Sequence, residues 1–91
     1  MINGNVNEFI DNISCGEELI FIYGKQKFFL QGYKEKGKLT LFLDRWEPPS
    51  DDYIWIGVGD EKHYPVEKFL SAKLWDGRDF WSAESEIEWT D

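Results

Sequence analysis

The chain has 91 residues and a formal net charge of −8 at pH 7, from 18 Asp and Glu against 10 Lys and Arg. That is room for a single compact domain over residues 1–91, and its acidity argues against nucleic acid and anionic membranes, which both need a basic footprint. One cysteine, Cys15, excludes an intramolecular disulfide.

The first predicted element is a helix, because Val6, Phe9, Ile10 and Ile13 follow the i, i+3, i+4, i+7 spacing of one apolar face. Asn5 and Glu8 have the spacing of a capping box, and Gly16 suits a left-handed C-terminal position. Three strands follow, Glu18 to Tyr23, Gln26 to Tyr33 and Lys38 to Trp46, separated by the turn pairs Gly24-Lys25 and Lys36-Gly37. Leu39, Leu41 and Leu43 alternate with Thr40, Phe42 and Asp44, which predicts one well-buried sheet face. The other face is not polar, since Ile20, Ile22, Phe29 and Phe42 fall on it. Another element or another molecule is expected to cover some of them.

Glu47-Pro48-Pro49-Ser50-Asp51-Asp52 reads as a loop, because two prolines preclude ladder bonding. Tyr53 to Val58 is the fourth predicted strand. Pro65 suits the first turn of a helix with Val66, Phe69 and Leu70 on its apolar stripe. Asp79 caps a last predicted helix whose inner face holds Phe80, Ala83 and Ile87. The expected architecture is α+β: a four-stranded antiparallel meander with one N-terminal and two C-terminal helices packed on it.

Catalytic signatures are missing from the sequence. His63 is the only histidine, in a loop-like Glu61-Lys62-His63-Tyr64-Pro65 setting, and nothing pairs it with Cys15 or a serine. One His and one Cys far apart do not make a zinc site, and no stretch matches a calcium loop or a phosphate loop. The expectation is a non-enzymatic protein without cofactor or metal. A free thiol, the absence of a basic apolar leader in Met1-Ile2-Asn3-Gly4-Asn5, and the lack of any apolar run of membrane-spanning length lead to an expected cytoplasmic location.

What the sequence does carry is a charge asymmetry. Residues 1 to 43 hold five Lys and Arg and five Asp and Glu, whereas residues 44 to 91 hold five against thirteen, and all five tryptophans lie in that second part. In a C-terminal helix, Glu84 and Glu88 would form a like-charge pair four apart. Glu86, Glu88 and Asp91 would crowd a helix end where the macrodipole favours cations. Such local violations suggest a basic partner supplying the missing charge. The candidate partner-binding residues are Asp44, Glu47, Asp51 and Asp52 on the loop side. On the C-terminal side they are Asp76, Asp79, Glu84, Glu86 and Glu88, with Trp46, Trp81 and Trp89 as half-exposed apolar anchors.

Leu43-Asp44-Arg45-Trp46-Glu47-Pro48-Pro49, Leu74-Trp75-Asp76-Gly77-Arg78-Asp79-Phe80-Trp81 and Glu86-Ile87-Glu88-Trp89 together resemble small acidic bacterial proteins found beside polymorphic or contact-dependent toxins. The resemblance spans nearly the whole chain. It implies an immunity protein, cytoplasmic and acidic, whose carboxylates cover the basic active site of a nuclease toxin domain. The alternative in another class is a small regulatory or scaffolding domain, a homodimer through the exposed sheet face among the possibilities.

Overall fold

The computed structural model describes residues 6–89. Helix α1 (Val6–Ser14) forms where the apolar spacing predicts it, with Phe9 and Ile13 buried on its inner face. Gly16 has φ 73°, and its N–H and that of Glu17 donate back to the Ile13 and Asn12 carbonyls at 3.0 Å each, closing the helix end. The Asn5 cap lies outside the described residues.

Strands β1 (Leu19–Tyr23), β2 (Gln26–Glu35) and β3 (Lys38–Glu47) make two hairpins. Both turns have two central residues of positive φ: Gly24 and Lys25 at 56° and 67°, Lys36 and Gly37 at 52° and 81°. That is the geometry whose twist matches the flanking strands. After the Pro-Pro loop, β4 (Trp55–Val58) pairs antiparallel with β3. It starts two residues later than the sequence suggests. Two short helices follow, α2 (Val66–Ser71) and α3 (Phe80–Ala83), the second capped by Asp79 as expected.

The C-terminal segment departs from expectation. The last helix stops at Ala83, tightens into a 3-10 turn over Glu84–Glu86, and continues as a fifth strand, β5 (Ile87–Trp89). The sheet therefore has five strands in the order β4-β3-β2-β1-β5, every neighbour antiparallel. The physical reason is a period-two signal hidden in the acidic tail. Ile87 and Trp89 alternate with Glu88, so a strand buries both apolar side chains and leaves the acid out. Pairing also occupies the free edge of β1, with Phe21, Ile22 and Tyr23 opposite Trp89, Glu88 and Ile87. A continued helix would have faced Glu84 with Glu88 instead.

One face of this sheet is packed by the helices. Phe9, Phe21, Phe69, Trp75, Phe80 and Ile87 are all essentially inaccessible there. Their rings interlock mostly edge-to-face: Phe9 meets Trp89 at 5.2 Å and Phe21 at 5.5 Å, and Trp75 meets Phe28 at 5.2 Å and Tyr23 at 5.3 Å. Such pairs add about 0.5–1.5 kcal/mol each beyond their area. The Trp75 indole N–H has no acceptor among the described residues and is surrounded by aromatic rings. At the margin, the Trp55 ring folds over Gly57, leaving no room for a Cβ at that position. A side chain there would displace the indole from the core.

A network ties the C-terminal segment to the sheet. The Tyr23 hydroxyl donates to Asp76 Oδ2 at 2.9 Å and accepts from Arg78 Nη2 at 2.7 Å. Arg78 Nη1 pairs with Glu86 Oε2 at 2.7 Å.

Candidate protein-interaction surface

Among the described residues, no helix packs on the opposite sheet face. Strand alternation puts Ile20 and Ile22 of β1, Phe29 and Tyr33 of β2, Phe42 of β3 and Ile56 and Val58 of β4 on that side, because their neighbours Phe21, Leu30, Leu41 and Gly57 take the core side. Ile56 is 50% exposed, Val58 45% and Ile20 40%. Single exposed apolar residues need no explanation, but a contiguous set across four strands marks an interaction surface.

Aromatic stacking organises this face. Trp46 lies flat on Phe29, centroids 4.6 Å apart and planes 16° apart. Tyr33 lies on Phe42 at 4.5 Å and 12°, and Tyr53 tilts onto the same ring at 5.1 Å. The hydrogen bond with Tyr53 raises the Tyr33 phenol above its ordinary pKa. Beside these rings a groove of about 740 Å³ runs between β4 and the β2–β3 turn, lined by Tyr33, Phe42, Tyr53, Ile56 and Val58, with Lys36 and Lys38 at its lower end.

The register of β3 explains why Trp46 is on this face. Lys27 lies opposite Glu47 but Phe28 opposite Arg45, so Trp46 is an extra residue in β3. Such bulges re-aim a side chain near a sheet end. Trp46 is 42% exposed as a result.

At the upper margin, Asp44, Asp51 and Asp52 line one hollow of about 160 Å³ together with Ser50 and Tyr53. Hydrogen bonds hold the loop in place. Asp44 Oδ1 accepts from its neighbour Arg45 N at 2.8 Å and from Ser50 Oγ at 3.2 Å, and Asp52 Oδ1 accepts from Tyr53 N at 2.9 Å. These donors are neutral, so they orient the carboxylates without cancelling charge. Among the described residues no ion pair engages any of the three. The hollow adjoins the aromatic face directly: Asp44 is opposite Phe29, and Tyr53 rests on Phe42.

Comparison of the chain with protein-family models, curated proteins and solved structures finds no match.

The C-terminal candidates are distributed differently. Strand directions bring the start of β5 to the same end of the sheet as the end of β3, but at the far edge from β4. Glu86 is neutralised by Arg78, whose hydrogen bond holds the carboxyl below its usual range; Arg78 itself is shifted up by the same contact. Asp76 is engaged by Tyr23. Asp79 accepts from Ser82 N at 2.9 Å, and that backbone N–H is the main cause of its lowered pKa. Each of these three acids already has a partner within the chain. Glu84 is half-buried in the 3-10 turn, and Glu88 points to the open face opposite Ile22. Because the segment is not a helix end, the like-charge pair and the macrodipole argument do not apply to Glu84, Glu86 and Glu88. Asp91 lies outside the described residues.

Of the tryptophans, Trp46 and Trp81 are exposed, Trp81 at 55%. Trp89 is corrected: strand β5 turns it inward opposite Phe21, 4% exposed, where it is a core residue and no partner anchor. Trp81 is on α3, away from the open face. Glu47 ends β3 opposite Lys27 and is exposed.

Tyr33, Tyr53, Ile56 and Val58 belong to the surface although the sequence reading did not single them out. The available signal was Trp55-Ile56-Gly57-Val58: once Trp55 goes to the core, Ile56 and Val58 must point the other way. His63 is exposed beside the Asp60 carboxylate at 3.4 Å. Asp60 mainly serves the turn, its pKa lowered by the Lys62 and His63 backbone N–H groups. No group of three or more His, Cys, Asp or Glu among the described residues is arranged to hold a metal ion.

Proposed function

We propose that this chain is a non-enzymatic binding protein of the immunity type, neutralising a basic protein partner through its open sheet face and the acidic hollow above it. A nuclease toxin domain is the partner class that fits this chemistry, since a site built for phosphates is cationic and carboxylates can occupy it in place of the polyanion. The observation carrying this reading is the juxtaposition: three carboxylates that meet no ion pair among the described residues, beside a face of half-exposed Trp46, Tyr33, Tyr53 and Ile56. Such a layout matches an interface with an apolar centre and a charged rim. A partner Lys or Arg entering the hollow while apolar side chains cover Trp46, Tyr53 and Ile56 would use both. Opposite charge would also speed encounter, toward about 10⁸–10⁹ M⁻¹s⁻¹ at low salt. Action in the cytoplasm, where Cys15 stays reduced, is part of the proposal. No helix among the described residues is long and apolar enough to cross a membrane.

Within this reading the loop-side acids are the contacts, and Asp76, Asp79 and Glu86 drop out because the fold uses them. The test is co-expression with basic nuclease toxin domains encoded next to this gene, scored as survival. Protection by the wild type, lost in a folded Asp44→Asn/Asp51→Asn/Asp52→Asn variant, supports the proposal. Full protection by that variant overturns the role of the hollow, and no protection by the wild type against any adjacent toxin overturns the function.

A further inference from the structure

We propose that the open face also binds a second copy of this chain, in a two-fold dimer that stacks the sheets face to face with their ends reversed. This goes beyond the inhibitor reading and does not depend on the partner being basic.

The first argument is area. The strands β1 to β5 hold 5, 10, 10, 4 and 3 residues, and at about 4.8 by 3.3 Å per residue they outline a face of roughly 500 Å². That is below the about 800 Å² per partner of a standard interface and is the size of a weak, concentration-dependent one. The residues on it, with Ile56, Val58 and Ile20 at 50%, 45% and 40% exposure, are the kind that sheet-on-sheet packing buries.

The second argument is charge. The upper margin of the face carries Asp44, Asp51 and Asp52, and the lower margin carries Lys36 and Lys38 beside Glu35. A two-fold axis across the strands sets the upper end of each copy over the lower end of the other. Each acidic hollow then meets the other copy's lysine pair, and the contact is made twice by symmetry. The axis would pass near the Gln31–Phe42 pair, midway between the charged ends of β3. The alternative axis, along the strands through β2, would set the β3–β4 corner of each copy over the β1–β5 corner of the other, where Lys27, Ile22 and Glu88 lie side by side and one glutamate offsets one lysine. Self-complementarity therefore selects one of the two packings.

Partner and second copy would compete for the same face, so the dimer would be the resting form, giving way to the toxin complex.

The experiment is sedimentation of the purified chain from micromolar to millimolar concentration, with two charge-reversal variants, Lys36→Glu/Lys38→Glu and Asp51→Lys/Asp52→Lys. The wild type should dimerise. Each variant alone should associate about tenfold or more weakly, a loss of about 1.4 kcal/mol or more. The two variants mixed should form a heterodimer, because both ends are then matched. Circular dichroism checks that each variant folds. A wild type that stays monomeric at every concentration overturns the dimer. Variants that self-associate as well as the wild type overturn the reversed arrangement. Neither outcome touches the inhibitor reading, which the survival test decides separately with the wild type and the Asp44→Asn/Asp51→Asn/Asp52→Asn variant.

Discussion

The two faces of the sheet are built from the same strands, and both are apolar, yet among the described residues helices pack on one of them alone. On the inner side Phe21, Leu30, Leu43 and Ile87 lie at 2% exposure or less; on the outer side Ile20, Ile22, Ile56 and Val58 lie between 39% and 50%, and Phe29 and Phe42 are shielded by the stacked Trp46, Tyr33 and Tyr53. Connectivity makes the difference. The strands β1 to β3 are joined by two-residue turns, so they contribute no segment long enough to cross the outer face. Helices α1, α2 and α3 all pack on the inner side. Residue type decides which faces can be buried, and chain connectivity decides which face is. The half-exposed Ile20, Ile22, Ile56 and Val58 forgo hydrophobic stabilisation of about 25 cal/mol per Å² left in water, and that is the area the proposed partner or second copy would bury.

That contrast predicts a wide gap in mutational cost. Phe80→Ala, at an inaccessible position against Phe9, should destabilise by about 3–5 kcal/mol. In a chain this size each kcal/mol lowers Tm by about 4–8 °C. Trp89→Ala should belong to the same class, and Trp81→Ala should cost within about 0.5 kcal/mol, as exposed surface changes do. Thermal melts of the two tryptophan variants are a direct check: equal losses would contradict an inward Trp89. On the outer face, Ile56→Ala should cost about 1 kcal/mol, half its side chain being in water already, while weakening self-association or partner binding. An Ile56→Ala variant that loses as much stability as Phe80→Ala would mean the outer face is covered within the monomer.

Much of this contrast was legible in the sequence. The helix face of Val6, Phe9, Ile10 and Ile13, the two hairpin turns, the Asp79 cap and the surplus of Ile20, Ile22, Phe29 and Phe42 all follow from spacing and local turn chemistry. The last strand was not, for two physical reasons. Three residues, Ile87-Glu88-Trp89, are too few for a period-two pattern to stand out against a helical reading of Phe80, Ala83 and Ile87. Their pairing partner, β1, is more than sixty residues away, so nothing local marks the edge they complete. That error moved Trp89 to the surface and gave Glu84, Glu86 and Glu88 a helix end they do not have. That Asp51 and Asp52 lie in a loop was legible, because a Pro-Pro segment has few structural alternatives. Which acids would find an internal cation was beyond reach, since the Arg78–Glu86 pair depends on how the chain turns after Asp79.

That pair supplies the smallest predicted effect. Glu86 has its folded pKa lowered by Arg78, and Asp79 by the Ser82 backbone N–H. A carboxyl whose folded pKa lies below its unfolded value binds protons less readily when folded. Its contribution is therefore fully present above the unfolded carboxylate range and is lost as pH falls through the folded pKa. Unfolding measured from neutral pH down to the acid range should show stability falling on that limb. Glu86→Gln should make the fall shallower, and Arg78→Gln should do so by a similar amount, with an additional pH-independent loss from the Tyr23 contact. If Glu86→Gln and Arg78→Gln left the acid limb as steep as in the wild type, Glu86 would not be an acid that helps hold the fold.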